Sequence, residues 1–162
     1  MLKKPEKLIT LAKLQPIVNR LKKQQKKVVW TNGCFDILHV GHVEYLERAK
    51  ELGDILIVGL NSDLSIKALK GEKRPLFREL YRAKVLNAIE YIDYITIFNE
   101  QTPLKLLTLL QPAYYVKGGD YTIETIDQIE RNAVKSYGGT IKIFPIVQGL
   151  STSNIIKQIK NL

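Results

Sequence analysis

"KKVVWTNGCFDILHVGHVEYLERAKELGDILIVGLN", residues 26–61, decides the architecture of this chain. It opens on a short apolar, β-branched run that reads as a buried strand ending at Gly33. A polar turn follows. "HVEYLERAKELG" then has helical spacing at Val43, Leu46 and Ala49, and stops at Gly53. "DILIVGLN" is a second continuous apolar run. Strands without polar alternation are buried on both faces, which is the mark of a parallel sheet covered by helices.

The same alternation extends outward. Residues 6–25 read as one or two short amphipathic helices, with Pro16 a break or a first-turn residue. Ser62 or Asp63 caps the turn "LSIKALKG". A longer helix is expected over 78–92, and "DYITIF" is a third strand. "TPLKLLTLLQ" is a helix with Pro103 in its first turn, and "AYYVKGG" is a fourth strand. "ETIDQIERNAVKSYGG" is a helix closing on a glycine pair. "TIKIFPIV" is a fifth strand, whose Pro145 implies an edge position or the strand's end, and "STSNIIKQIKNL" is a last helix. The expected fold is α/β: one domain over residues 1–162, a five-stranded parallel sheet with helices on both faces, and residues 1–25 packed on it as a helical segment.

Composition narrows the function classes. The chain has 162 residues, 25 Lys and Arg against 16 Asp and Glu, and a formal net charge of +9. The basic residues are scattered, without a long block or a stripe interleaved with aromatics, so most are read as solvated surface and no nucleic-acid partner is expected. Its single cysteine, Cys34, fits a reducing compartment. "MLKKPEKLIT" has no apolar signal core and no run reaches transmembrane length. A cytoplasmic protein with no membrane association is expected.

In open parallel sheets ligands bind beyond the carboxyl ends of the strands, where the strand order reverses. The segments at those ends are "NGCFDILHVGH", "NSD", "KGGDY" and "QGLSTSN". The first holds both histidines of the chain, His39 and His42. Helix should begin near Val40 or Gly41, so the two imidazoles project from one helical turn whose free N–H groups favour an anion. Gly41 lets a phosphate approach the backbone. Neutral imidazoles can donate to phosphate oxygens, which suits nucleotidyl transfer, a reaction governed by alignment and charge stabilisation. Two other readings compete: ordinary turn histidines, and a zinc site completed by Cys34 and Asp36. The spacing matches no zinc-ribbon or finger pattern, and no resident metal is expected.

The segment "TNGCFDILHVGHVEYL" resembles the HxGH region of the nucleotidyltransferase superfamily, which includes the cytidylyltransferases. "LKGEKRP", Arg82, "VKGGDY" and "GLSTSNII" follow in the order seen in the adenylyltransferase domain of bacterial ADP-heptose synthases. The resemblance spans roughly residues 25–160 and implies a Rossmann-like domain that transfers AMP from ATP to D-glycero-D-manno-heptose 1-phosphate. Pyrophosphate would be released with Mg²⁺ accompanying ATP, in lipopolysaccharide precursor synthesis. In that family the domain is often fused to a sugar kinase; at this length a stand-alone version is expected, as a homodimer or larger homo-oligomer. One departure is Ser153, where threonine is common; the hydroxyl is kept.

The resemblance and the loop chemistry together give candidate roles. Catalysis is assigned to His39, His42, Lys70 and Arg82, with Arg82 expected to make a bidentate phosphate contact. Nucleotide binding is assigned to Thr31, Asn32, Gly33, Phe35, Gly41, Lys117, Gly118, Asp120, Ser151, Thr152 and Ser153. Substrate binding is assigned to Asp36, Asn61, Asp63, Arg74 and Tyr121. Lys70 and Arg74 would flank Gly71 in a mobile phosphate-gripping loop, Asp120 would accept from a ribose hydroxyl or the base, and Tyr121 would stack. Against these stand plainer roles: a solvated basic loop, a glycine turn, and helix caps at Asp63 and in "STSN". The base and the sugar are not legible from these residues. The nearest alternative enzyme is a cytidylyltransferase acting on glycerol 3-phosphate or another alcohol phosphate. A nucleic-acid-binding module lacks a recognition motif, and a class I tRNA synthetase fragment lacks a lysine-serine loop.

Overall fold

The computed structural model describes residues 3–119, 121–145, 155, 156, 158, 159 and 161. Helix α1 (Leu11–Lys23) leads into strand β1 (Val28–Gly33), helix α2 (Val40–Lys50) and strand β2 (Ile55–Asn61). Helices α3 (Asp63–Lys70) and α4 (Glu79–Asn87) precede strand β3 (Tyr94–Phe98). Helix α5 (Leu104–Leu110), strand β4 (Tyr114–Gly118), helix α6 (Gln128–Ser136) and strand β5 (Thr140–Phe144) complete the named elements. Ile155, Ile156, Gln158 and Ile159 are helical.

The sheet order is β3-β2-β1-β4-β5, all parallel. The chain winds outward from β1 to β3, then returns to place β4 on the other side of β1. The order therefore reverses between β1 and β4, and the crevice at their carboxyl ends is the ligand position of such folds. This is the five-stranded parallel architecture expected from the alternation, and it is the Rossmann-like domain that the resemblance implied.

Period-two alternation sorts the strand residues onto two cores. Val29, Leu56, Val58, Leu60 and Val116 pack with Leu46 and Ala49 of α2 and with Ala83 and Leu86 of α4. Val28, Trp30, Ile57 and Tyr115 pack on the opposite face with Leu14 and Val18 of α1, Leu106 and Leu107 of α5, and Val134 of α6. Gly59 makes the second core possible: a Cβ there would lie 2.3 Å from the Trp30 ring.

Several boundaries differ from the sequence reading, each for a tertiary reason. Residues 6–9 form a turn and then a bridge at Leu8 rather than helix. Leu8 bridges Ile95, with Ile9 donating to the Ile95 carbonyl and Ile95 to that of Lys7, so the segment shields the β3 edge. Helix α1 is single and runs through Pro16; the helix is held by its buried Leu14 and Val18. Helix α4 ends at Asn87, five residues early, because the N-terminal segment captures its end: the Lys7 N–H donates to Asn87 Oδ1 and Lys7 Nζ to the Ile89 carbonyl. Ser62 is the cap of α3, accepting from the Ser65 N–H at 3.1 Å. Pro103 is the N-cap of α5 rather than part of its first turn, and β5 is an edge strand ending just before Pro145.

Candidate active site

A cleft of about 760 Å³ opens at the carboxyl ends of β1 and β4. Of the residues selected from sequence, Asn32, Gly33, Phe35, His39, Gly41 and His42 line it from the first βα connection. Asn61 and Lys70 reach it from β2 and α3, and Lys117, Gly118 and Tyr121 from the β4 side. Fold topology thus gathers segments some 85 residues apart in sequence around one space.

His39 is the N-cap of α2 and His42 lies in its first turn, with the His42 N–H donating to the His39 carbonyl at 2.9 Å. Their ring centroids are 4.0 Å apart, and Phe35 packs on His42 at 5.4 Å. Burial, then the neighbouring His39 and Lys70, push the His42 imidazole down to about 4; burial also lowers His39. Both are therefore neutral near pH 7. Each keeps a buried Nδ1 without a hydrogen-bond partner among the described residues. Among the described residues no group of three or more His, Cys, Asp or Glu is arranged to hold a metal ion, so the zinc reading gains no support.

The opposite wall is built by β4 and the start of α6. Lys117 Nζ lies 3.6 Å from Glu130 Oε2, 5.3 Å from the Tyr115 ring centre and 4.8 Å from that of Tyr121. Tyr45 on α2 joins the walls: its hydroxyl contacts Thr31 Oγ1 and donates to the Val116 carbonyl at 3.0 Å. Gly118 leaves room for that ring, since a Cβ there would meet it at 2.7 Å.

Five selected residues point elsewhere. Thr31 is fully buried and serves Tyr45 rather than facing the cleft. Arg82, expected at a phosphate, has its side chain wholly buried. Its guanidinium donates to the Phe77 carbonyl (2.9 Å), the Cys34 carbonyl (2.6 Å) and Asp63 Oδ1 (2.8 Å), so both Arg82 and Asp63 are engaged in tying the β1–α2 connection, α3 and α4 together. Asp36 and Arg74 are likewise paired, with Arg74 Nε donating to Asp36 Oδ2 at 2.8 Å. The Leu76 and Phe77 N–H groups donate to Asp36 Oδ1 at 2.9 and 3.0 Å. Burial pushes the Asp36 carboxyl up, but these N–H bonds and the guanidinium outweigh it and hold the group below its ordinary value. The 71–78 loop is therefore anchored at Arg74–Phe77, and of the basic residues in and beside it Lys70, the last residue of α3, is the one that lines the cleft. Asp120, Ser151, Thr152 and Ser153 lie outside the described residues.

Sequence reasoning passed over Tyr45, Gln101, Thr125, Asp127 and Glu130, all cleft-lining. Tyr45 reads as one more polar position on a helix; Asp127 and Glu130 read as a helix start. Only their partners on β1 and β4 reveal them.

The cytidylyltransferase-like family model matches residues 30–158. The bifunctional protein HldE of Geobacter metallireducens is 52% identical over 153 residues, 94% of this chain and 31% of that protein. HldE of Campylobacter concisus is 48% identical over 155 residues, 96% of this chain and 31% of that protein. The chain thus spans about a third of the length of these curated relatives. A solved structure, the lipopolysaccharide core biosynthesis protein from Thermoplasma volcanium, is 30% identical with a TM-score of 0.61, covering 75% of this chain and 97% of that one. Pantothenate synthetase from Thermus thermophilus, 17% identical with a TM-score of 0.62 over 93% of this chain and 70% of that one, shares the fold. With the paired histidines at the switch point and a family match over most of its length, the chain belongs to the cytidylyltransferase-like family and is a nucleotidyltransferase.

Proposed function

We propose that the chain transfers AMP from ATP to a heptose 1-phosphate, forming ADP-heptose and pyrophosphate for lipopolysaccharide precursor synthesis. The observation that carries this reading is the convergence of His39, His42, Lys70 and Lys117 on one cleft at the strand-order reversal. The relatives named HldE and the lipopolysaccharide core biosynthesis structure support the sugar branch.

In this reaction a phosphate oxygen of the acceptor attacks the α-phosphorus of ATP. The bond from that phosphorus to the bridging oxygen breaks, and its electron pair leaves with pyrophosphate. The attacking oxygen is already anionic, so no general base is required. The neutral imidazoles act as hydrogen-bond donors to oxygens that gain charge, and the first turn of α2 adds backbone N–H groups and a partial positive charge. Lys70 and Lys117 supply fixed cations on two sides. ATP enters as its Mg²⁺ complex; no side chain of the described residues is assigned to that ion.

The test is a pyrophosphate-release matrix of nucleoside triphosphates against sugar and alcohol phosphates. ATP with a heptose 1-phosphate should be the best pair. Preference for CTP with glycerol 3-phosphate would overturn the branch and leave the transferase assignment standing.

Self-association belongs to the same proposal. Leu64, Leu76, Phe77, Leu80, Tyr81 and Val85 form an exposed apolar face on and beside α4, each about half exposed or more. Six such side chains offer on the order of 500 Å² of apolar surface per copy, against ~800 Å² per partner in a standard interface. A second copy packed there should be lost in Leu80→Arg, seen as a monomer by sedimentation. Described helices include none long and apolar enough to cross a membrane.

A further inference from the structure

Glu130 sits in the first turn of α6 with only 5% of its surface exposed. Asp127 and Glu130 have the spacing of a capping box, in which the glutamate would turn back to the cap N–H. Asp127 performs its half, accepting from the Ile129 and Glu130 N–H groups at 2.8 and 3.1 Å. Glu130 does something else. Its Oε2 accepts from the Tyr115 hydroxyl at 2.7 Å and lies 3.6 Å from Lys117 Nζ. Tyr115 also faces Asn32 Oδ1 at 3.2 Å, which links the arrangement back to β1. A buried carboxylate is unfavourable unless its charge is compensated. Helix capping does not call for this one, and the cation that compensates it lines the cleft.

Resting on the nucleotidyl-transfer reading above, we propose that Glu130 is a positioning residue for the nucleotide: its carboxylate, anchored by Tyr115, holds the Lys117 ammonium charged and fixed on the cleft wall before the triphosphate arrives. A free lysine side chain has many rotamers to lose on binding. Here the stem is buried and the ammonium is confined between Glu130 and the rings of Tyr115 and Tyr121. A preorganised cation needs no reorganisation when phosphate charge appears beside it.

The electrostatics agree. Burial pushes the Lys117 ammonium down, while Glu130 and, more weakly, Asp127 oppose that shift. Glu130 and Asp127 face it from α6, Tyr115 from β4 and Tyr121 from the loop after β4. Burial raises both tyrosines, so neither supplies negative charge in the working range. Without the Glu130 charge, Lys117 should lose its proton at lower pH.

The experiment compares wild type with Glu130→Gln and Glu130→Asp. Lys117 is titrated by NMR in the free protein, KM for ATP and kcat are followed across pH, and Tm is recorded. In Glu130→Gln the Lys117 midpoint should fall and KM for ATP should rise about tenfold, the size of one weakened charge-assisted contact. The KM difference should widen toward alkaline pH, with kcat little changed and partial recovery in Glu130→Asp. An unchanged Lys117 midpoint overturns the proposal. So does a KM loss equal at every pH and not recovered by Asp, the mark of a purely structural role. If wild type releases no pyrophosphate with any triphosphate, the transfer reading fails, while the Lys117 titration still decides the role of Glu130. Should Glu130→Gln not fold, Tyr115→Phe frees the carboxylate and is read the same way: a raised, pH-sensitive KM supports the proposal and a wild-type profile overturns it.

Discussion

The imidazoles of His39 and His42 lie with centroids 4.0 Å apart and planes tilted by 43° at the start of α2. The contact spans the junction of the helix, His39 as N-cap and His42 in the first turn. Phe35, at a backbone φ of 44°, also packs on His42, with ring centroids 5.4 Å apart. Two adjacent rings under such cover disfavour charge on either, which makes them directed donors rather than permanent cations.

Replacing either histidine should therefore affect the chemical step. His39→Ala and His42→Ala are expected to lower kcat by roughly 10²–10³-fold, by analogy with loss of one preorganised donor at an oxyanion site. KM should move much less, because the contact strengthens in the transition state. Near-wild-type kcat in both variants would remove the imidazoles from catalysis.

The protonation state is directly readable, since the chain holds two histidines in all. Ring-proton NMR of the free protein should show His42 neutral down to about pH 4, with His39 also titrating below the ordinary 6.5. A midpoint for His42 near 6.5 would contradict the burial described here.

The same depression carries a stability consequence. His42 is depressed on folding, so the unfolded chain takes up its proton at higher pH than the folded one. The contribution is fully present above pH 6.5 and is lost as pH falls toward about 4. That gap corresponds to roughly 3 kcal/mol. Denaturant unfolding across this window should show the loss in wild type and a flatter profile in His42→Asn.

Arg82→Ala should act on folding. It leaves the partly exposed Asp63 carboxylate and the Phe77 and Cys34 carbonyls without their partner, a loss of about 1.5–3 kcal/mol for hydrogen bonds to a charged group. Lys27→Ala, at an exposed position, should stay within about 0.5 kcal/mol of wild type. Equal unfolding midpoints would refute the structural role of Arg82.

Gly118→Ala should push the Tyr45 ring aside, since the new methyl would lie 2.7 Å from it. Overpacking of this kind costs about 1–3 kcal/mol. The displaced hydroxyl would also give up its bond to Val116. ATP binding should weaken together with stability, and Tyr45→Phe combined with Gly118→Ala should not recover it. A neutral Gly118→Ala would mean the ring has room to move.

Residues 26–61 carry their structure in local pattern. Apolar β-branched runs, a helical repeat and glycine stops specify β1, α2 and β2 wherever the unit sits. The same holds for the histidine pair and for Lys117–Gly118, because a strand end followed by a helix start is a local event. Sequence therefore determined the alternation, the parallel sheet and the loops that form the cleft. What it left open depended on partners distant along the chain. Arg82 and Arg74 carry the same charge as any phosphate-binding arginine; only the fold brings the Cys34 carbonyl and Asp36, from the β1–α2 connection, against them. Glu130 reads as a capping residue until β4 sets Tyr115 and Lys117 beside it. The end of α4 was likewise decided by Lys7, 80 residues earlier. Tertiary structure settled these cases because a charged side chain is assigned by what neutralises it once water is excluded, and that partner is fixed by packing rather than by spacing.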